Sequence, residues 1–269
     1  MKKNEGFKEL HRIILLTNPE QKCRATHALA ANFDDYTLEH NSPLHAISQP
    51  GYPQELKLVP ARELKRRGIQ SQEGRNILLH AIAHIEYNAI NLALDAAYRF
   101  RQQEDQFYID WIRIADDEAR HFQLLSNYLH DNNCRYSDYP AHNGLWDMAV
   151  RTQDDVVARM ALVPRVLEAR GLDVTPTMIE RLERVNDIAA VEILETIYID
   201  EIEHVGIGSK WFKHQCVLNG LEPRSTFRCL IDKHMHGDLR GPFNLAARLK
   251  AGFDRQEMEA LETHARSNN

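Results

Sequence analysis

Two short runs in this chain place acidic and imidazole side chains one helical turn apart: Asp117-Glu118-Ala119-Arg120-His121 and Asp200-Glu201-Ile202-Glu203-His204. Residues three apart share one face of an α-helix, so the Glu and the His of each D-E-x-x-H run can reach the same metal ion. With 21 Glu and 14 His among 269 residues, chance placement gives about one E-x-x-H pair, and roughly 0.07 once the preceding Asp is required. The doubled motif therefore stands above chance. Apolar residues flank both copies: Ile114, Leu125 and Ile197 each stand four residues from Glu118, His121 and Glu201. Charge on an apolar stripe is costly unless it is paired or metal-bound.

Two further glutamates extend the pattern. Glu86 precedes Glu118 by 32 residues, and Glu168 precedes Glu201 by 33. From Glu86 to Asp105 is 19 residues, as from Glu168 to Asp187. Both halves of the chain thus repeat one plan, a Glu on one helix and E-x-x-H on the next.

The elements that must position these groups are helices. Strong helical patterning begins at Ser71, an N-cap residue by type, and runs to about Arg101. A second helix covers Asp105–His130, and the polar stretch Asp131–Gly144 follows as a connection. The third is expected over Leu145–Arg170, ending at Gly171, with Pro164 kinking it one turn before Glu168. Thr175-Pro176 reads as an N-cap followed by Pro at the first helical position, which predicts a short helix over Pro176–Val185. The last long helix is expected over Asp187–Lys213, and Cys216–Asn269 as loop with one or two short helices. Residues 1–72 read as irregular, with helical pieces at Phe7–Leu16 and Pro60–Arg67; Asn41–Pro60, with four prolines, reads as a wrapping loop. Nothing alternates as a strand would, so the fold class is all-α, with four long helices at its centre.

This plan resembles the ferritin-like di-metal carboxylate proteins, in which a Glu from each of two helices and an E-x-x-H from each of two others hold a pair of metal ions. The resemblance covers residues 71–213. The wording HAIAHIE, DDEARHF and RVLEARGLDVTP, with RGPFN near the C-terminus, also resembles a bacterial ferritin-like family of unknown function over nearly the whole chain. The resemblance implies a ferritin-like four-helix bundle over residues 71–215, an N-terminal extension (1–70) wrapping it, and a C-terminal extension (216–269). It implies Glu86, Glu118, His121, Glu168, Glu201 and His204 as ligands of two metal ions. Four carboxylates and two divalent cations nearly cancel, whereas without metal the facing carboxylates repel and several hold protons. Oxygen and imidazole donors suit iron, the expected metal, or manganese. Asp117 and Asp200 are expected to orient the ligand histidines, with Arg120 as a further partner; Glu203 stands in the second copy where Arg120 stands in the first.

Other readings stand beside these. His80 and His84 are expected as core or supporting residues rather than ligands, and Trp111 as core. Tyr198 could face the site or pack in the core. Glu192 and Glu195 share the Glu201–His204 stripe poorly, and His234-Met235-His236 is a weak metal pair. Gly206 and Gly208 are expected to permit close helix packing or a bend.

Net charge is −6 and the pI about 6.2, so no whole-chain electrostatic footprint for nucleic acid exists. Apolar runs are too short to span a bilayer, the N-terminus carries no signal-like apolar region, and the four Cys are widely spaced. These features predict a cytoplasmic protein with reduced thiols and no membrane association. The function expected from the resemblance is O₂-activating oxidation or hydroxylation. Its substrate would be a small molecule or a modified nucleoside, and a partner protein would donate electrons because no nucleotide or flavin motif is present. Alternatives are a ferroxidase or iron-handling protein, a manganese catalase-like enzyme, and a non-catalytic helical interaction module stabilised by metal. The long extensions favour a monomer or small homo-oligomer over a storage shell.

Overall fold

The computed structural model describes residues 4–64, 68–235, 239 and 241–267, with only the backbone of 264–267. Helices dominate it. Among the described residues, extended pairing amounts to the two-residue parallel strands β1 (Asn4–Glu5) and β2 (Tyr36–Thr37) and one isolated bridge, Leu58 with Ala141. The chain is all-α, as the helical periodicity predicts. It divides into two compact units, Met1–Val150 and Arg151–Asn269, each built on a long helical hairpin.

In the first unit, α1 (Gly6–Ile14) and α2 (Pro19–Ala31) pack against the hairpin of α3 (Gln72–Arg99) and α4 (Asp105–Asp131). Ser71 caps α3, its Oγ accepting the Gly74 N–H at 3.1 Å, and every residue of α3 from Glu86 to Arg99 is buried. Buried polar groups there are matched: Arg99 grips Asp95 at 2.7 and 3.0 Å, and the wholly buried Lys22 of α2 donates to Ile14 O at 2.7 Å and to Asn91 Oδ1. By length and composition α3 could cross a membrane, but 72% of its most apolar window is buried inside the protein, as in a core helix.

The N-terminal region is more ordered than its sequence suggests. Helix α2 is a full element where an irregular segment is expected; Asn18 caps it through Gln21 N–H at 2.9 Å, with Pro19 at its start. Conversely, the helix expected over Pro60–Arg67 is a single 3-10 turn at Ala61–Glu63, and residues 65–67 lie outside the described residues. The loop Asn41–Pro60 is irregular as expected. It is tied down at Gly51, whose carbonyl accepts the Tyr87 hydroxyl at 2.8 Å; a Cβ there would meet the Leu15 and Leu16 carbonyl oxygens at 2.4 and 2.3 Å. Helix α5 (Gly144–Arg151) runs across the boundary between the units.

In the second unit, the continuous helix expected over Leu145–Arg170 is divided. After α5 come α6 (Val156–Leu162), capped by Asp155, a π-helical segment Val163–Glu168, and α7 (Ala169–Arg184). The kink expected at Pro164 takes this π form: proline has no N–H for the preceding turn and its ring crowds the carbonyl four residues back. Helix α7 continues through Gly171 and Pro176, so Gly171 is no terminus and Pro176 no first position. Pro176 leaves the carbonyl of Leu172 without its helical donor, and Asn244 Nδ2 supplies one at 3.2 Å. This asparagine belongs to the RGPFN run, of which Arg240 lies outside the described residues.

A tight turn leads to α8 (Ile188–Leu218), capped by Asp187 through Ala190 N–H at 3.3 Å, and α8 packs antiparallel on α6, the π segment and α7. The C-terminal region is more helical than expected: α9 (Pro223–Met235), α10 (Leu245–Lys250) and α11 (Arg255–Ser267). Arg165 of the π segment anchors it, fully buried, with its guanidinium over Phe212, Phe227 and Phe253 and a 2.8 Å bond to Glu257 of α11.

Candidate metal centre

Helices α3 and α4 bring Glu86, Glu118 and His121 together in the interior of the first unit. All three are buried, and one ligating atom from each lies within 4.8 Å of the others. The spacing of Glu118 and His121 puts both on the α4 face that meets α3, while Glu86 projects from the buried length of α3. His121 Nδ1 lies 3.2 Å from Glu118 Oε2 and 3.3 Å from Glu86 Oε2.

The electrostatics are those of a concentrated negative site. Burial, then repulsion from Glu118, pushes the Glu86 carboxyl up to about 8. Burial opposes charging His121, but the hydrogen bonds and charges of Glu118 and Glu86 outweigh it and lift the imidazole to about 11. A cationic His121 and a proton held on Glu86 are the local answer to the crowded carboxyl groups; a divalent cation would answer it in their place. Glu86 Oε2 is buried, with His121 Nδ1 beside it at 3.3 Å. Two carboxyl groups and an imidazole gathered in a buried interior fit a hard or borderline divalent metal.

In the second unit, α8 carries Glu201 and His204, both buried, with ligating atoms within 4.8 Å of each other. Glu168 ends the π segment and is half-buried; among the described residues it is not one of the groups gathered for a shared ion. The structure thus gathers three of the predicted ligands in one unit and two in the other.

The supporting residues fall as follows. Asp117 pairs with Arg120 at 3.1 Å on a partly exposed face, and Asp200 is half-buried on α8. Tyr198 is half-buried and its hydroxyl accepts from Asn244 Nδ2 at 3.0 Å, a tie to the RGPFN run that its position in α8 alone did not reveal. Trp111 is core. His80 accepts the Ser137 N–H at 3.0 Å, and His84 lies between the Tyr136 hydroxyl at 2.8 Å and the His142 carbonyl at 3.1 Å. Both have packing partners, and burial lowers each imidazole to about 4. Glu192 and Glu195 are exposed. His234 lies in the last turn of α9, and His236 lies outside the described residues. The described cysteines are free thiols.

An all-helical protein with a buried Glu/His cluster able to hold a metal is the class that fold and site define. Residues 15–259 match the family model described as "Protein of unknown function (DUF455)", and the chain belongs to that family. An uncharacterized protein of Haemophilus influenzae is 38% identical over 265 residues, covering 94% of this chain and 92% of that one. No solved structure matches the chain.

Proposed function

We propose that this is a ferritin-like protein whose two helical hairpins each contribute a Glu and an E-x-x-H pair to one dinuclear metal centre, with iron as the working metal and manganese as the alternative. The observation that carries the reading is the buried Glu86–Glu118–His121 cluster, with a carboxyl pushed up to about 8 and an imidazole raised to about 11. The repeated spacing extends it to Glu168, Glu201 and His204, the last two buried on α8. When bound, such a metal pair supplies the electrons and the coordination positions for O₂ activation.

The chain's own residues do the rest. Glu86 and His121 give up their protons as the cation enters, so that Glu86 and Glu118 meet it as carboxylates. Asp117 and Asp200 orient the histidines, and the surrounding apolar residues exclude water. The bundle spans residues 71–215, flanked by the extensions 1–70 and 216–269. Extensions that cover the bundle would suit a small-molecule or modified-nucleoside substrate, with electrons delivered by a partner protein. We place the protein in the cytoplasm, as a monomer or small homo-oligomer.

The test is O₂ consumption by the protein loaded with ferrous iron. Uptake faster than the same iron free in buffer is expected. A rate equal to that of free iron would reject both the oxygen-activating reading and the ferroxidase reading.

A further inference from the structure

Where the first hairpin holds its lone glutamate on a regular helix, the second holds Glu168 at the end of a π-helical segment. What that segment rests on is specific. A Cβ on Gly208 of α8 would lie 2.3 Å from Pro164 Cβ and 2.5 Å from its Cγ, so the proline ring sits directly on the backbone of α8 and only glycine leaves room. A second buried contact joins the same two elements: Arg165 Nε donates to Ser209 Oγ at 3.2 Å. Gly206, two residues earlier, is different; its nearest neighbour would be Ala251 Cα at 3.9 Å, an open position.

Register follows from this contact. The helices of the hairpin run antiparallel, so moving four residues forward from Pro164 and four back from Gly208 goes about one turn toward the same end of the pair. The residues reached are Glu168 and His204. In the first unit the corresponding residues, Glu86 and His121, are the ones in contact, at 3.3 Å.

We infer that Gly208 and Pro164 form a wedge that sets the register of the π segment on α8 and so positions Glu168 as the ligand of the second metal ion. Gly208 is a positioning residue and touches no metal. The inference rests on the dinuclear reading above. Either change at the wedge acts on Glu168: a side chain at residue 208 pushes the π segment away, and loss of the proline ring lets the segment close into regular helix, turning Glu168 by about one residue's rotation.

Manganese(II) binding to the full-length chain tests this, by ions bound per chain at equilibrium and by the electron paramagnetic resonance of the bound ions. The wild type and Gly206→Ala are expected to bind two ions with a spin-coupled spectrum. Gly208→Ala is expected to bind one ion with the six-line spectrum of isolated manganese, while circular dichroism shows an unchanged helix content. Should Gly208→Ala fail to fold, Pro164→Ala provides the same test, again with one uncoupled ion expected. Two coupled ions in the folded variant overturn the wedge alone. Fewer than two ions in the wild type overturn the dinuclear reading itself, and the wedge with it.

Discussion

His121 sits at the point where charge, burial and ligation meet. In the metal-free protein its proton lies between Glu118 and Glu86, and metal binding must expel it. Glu86, pushed up to about 8, holds a proton of its own at neutral pH. The sign is therefore fixed: manganese affinity rises with pH, by roughly tenfold per unit for each proton displaced. Calorimetry in two buffers of different ionisation enthalpy reads the proton count, and release of no proton at neutral pH would contradict the assignment. Glu86→Gln replaces a carboxyl already neutral, so the metal-free variant should unfold within about 1 kcal/mol of wild type while losing more than about tenfold in manganese affinity. A large loss of apo stability would show Glu86 working as an anion instead.

His80 gives the opposite kind of titration. Its imidazole is buried, accepts the Ser137 N–H, and is lowered from 6.5 to about 4. Above pH 6.5 the folded and unfolded chains both hold it neutral, and its contribution is intact. Between 6.5 and about 4 the unfolded chain protonates first, so stability falls by up to about 1.4 kcal/mol per pH unit. Urea unfolding at neutral and mildly acid pH should show a shallower loss in His80→Asn than in wild type; identical slopes would remove His80 as a source of acid sensitivity.

At the scale of elements, local chemistry was legible where the sequence itself supplied both partners, and misleading where a distant residue supplied one. Ser71 caps its helix as its type predicts, and Asp187, where the last long helix is expected to begin, caps α8. Two similar signatures, Asn18-Pro19 and Thr175-Pro176, have opposite outcomes: the first starts α2, and the second lies inside α7. The difference is Asn244, far along the chain, which satisfies the carbonyl that Pro176 strands. No local window contains that information. Asn244 also caps α10 through Ala247 N–H at 3.2 Å, so Asn244→Ala should cost about 2–3 kcal/mol. Restoring the helical donor with Pro176→Ala should recover on the order of 1 kcal/mol of that loss in a double-mutant cycle. A cycle with zero coupling would mean the Leu172 carbonyl gains nothing from Asn244.

For the site, the doubled D-E-x-x-H motif exposed four ligand candidates directly, since three-residue spacing is a property of the helix itself. Glu86 required the comparison of intervals between halves, and the structure brings it to His121. Glu168 was the least legible, because the π segment changes the angular position of every side chain that follows Pro164, and periodicity of 3.6 cannot anticipate it.

The molecule as a whole is two helical units with matching hairpins in a family that shares nearly its full length. Long segments before and after the hairpins, including α1, α2, α9, α10 and α11, set it apart from a bare bundle. Native mass spectrometry should accordingly give one or a few copies of the 31.1 kDa chain; a hollow shell of many copies would revive iron storage. Because metal is expected to bind only the folded state, manganese at a hundred times its dissociation constant should stabilise the protein by about 2.7 kcal/mol for each ion bound, roughly 5.4 kcal/mol for two ions of equal affinity.

The most direct measurement is anomalous diffraction from crystals of the metal-loaded protein, collected on both sides of the absorption edge of the bound metal. The account predicts two neighbouring peaks per chain, with Glu86, Glu118, His121, Glu168, Glu201 and His204 as their protein ligands. A single peak, or peaks bound by other side chains, would contradict it.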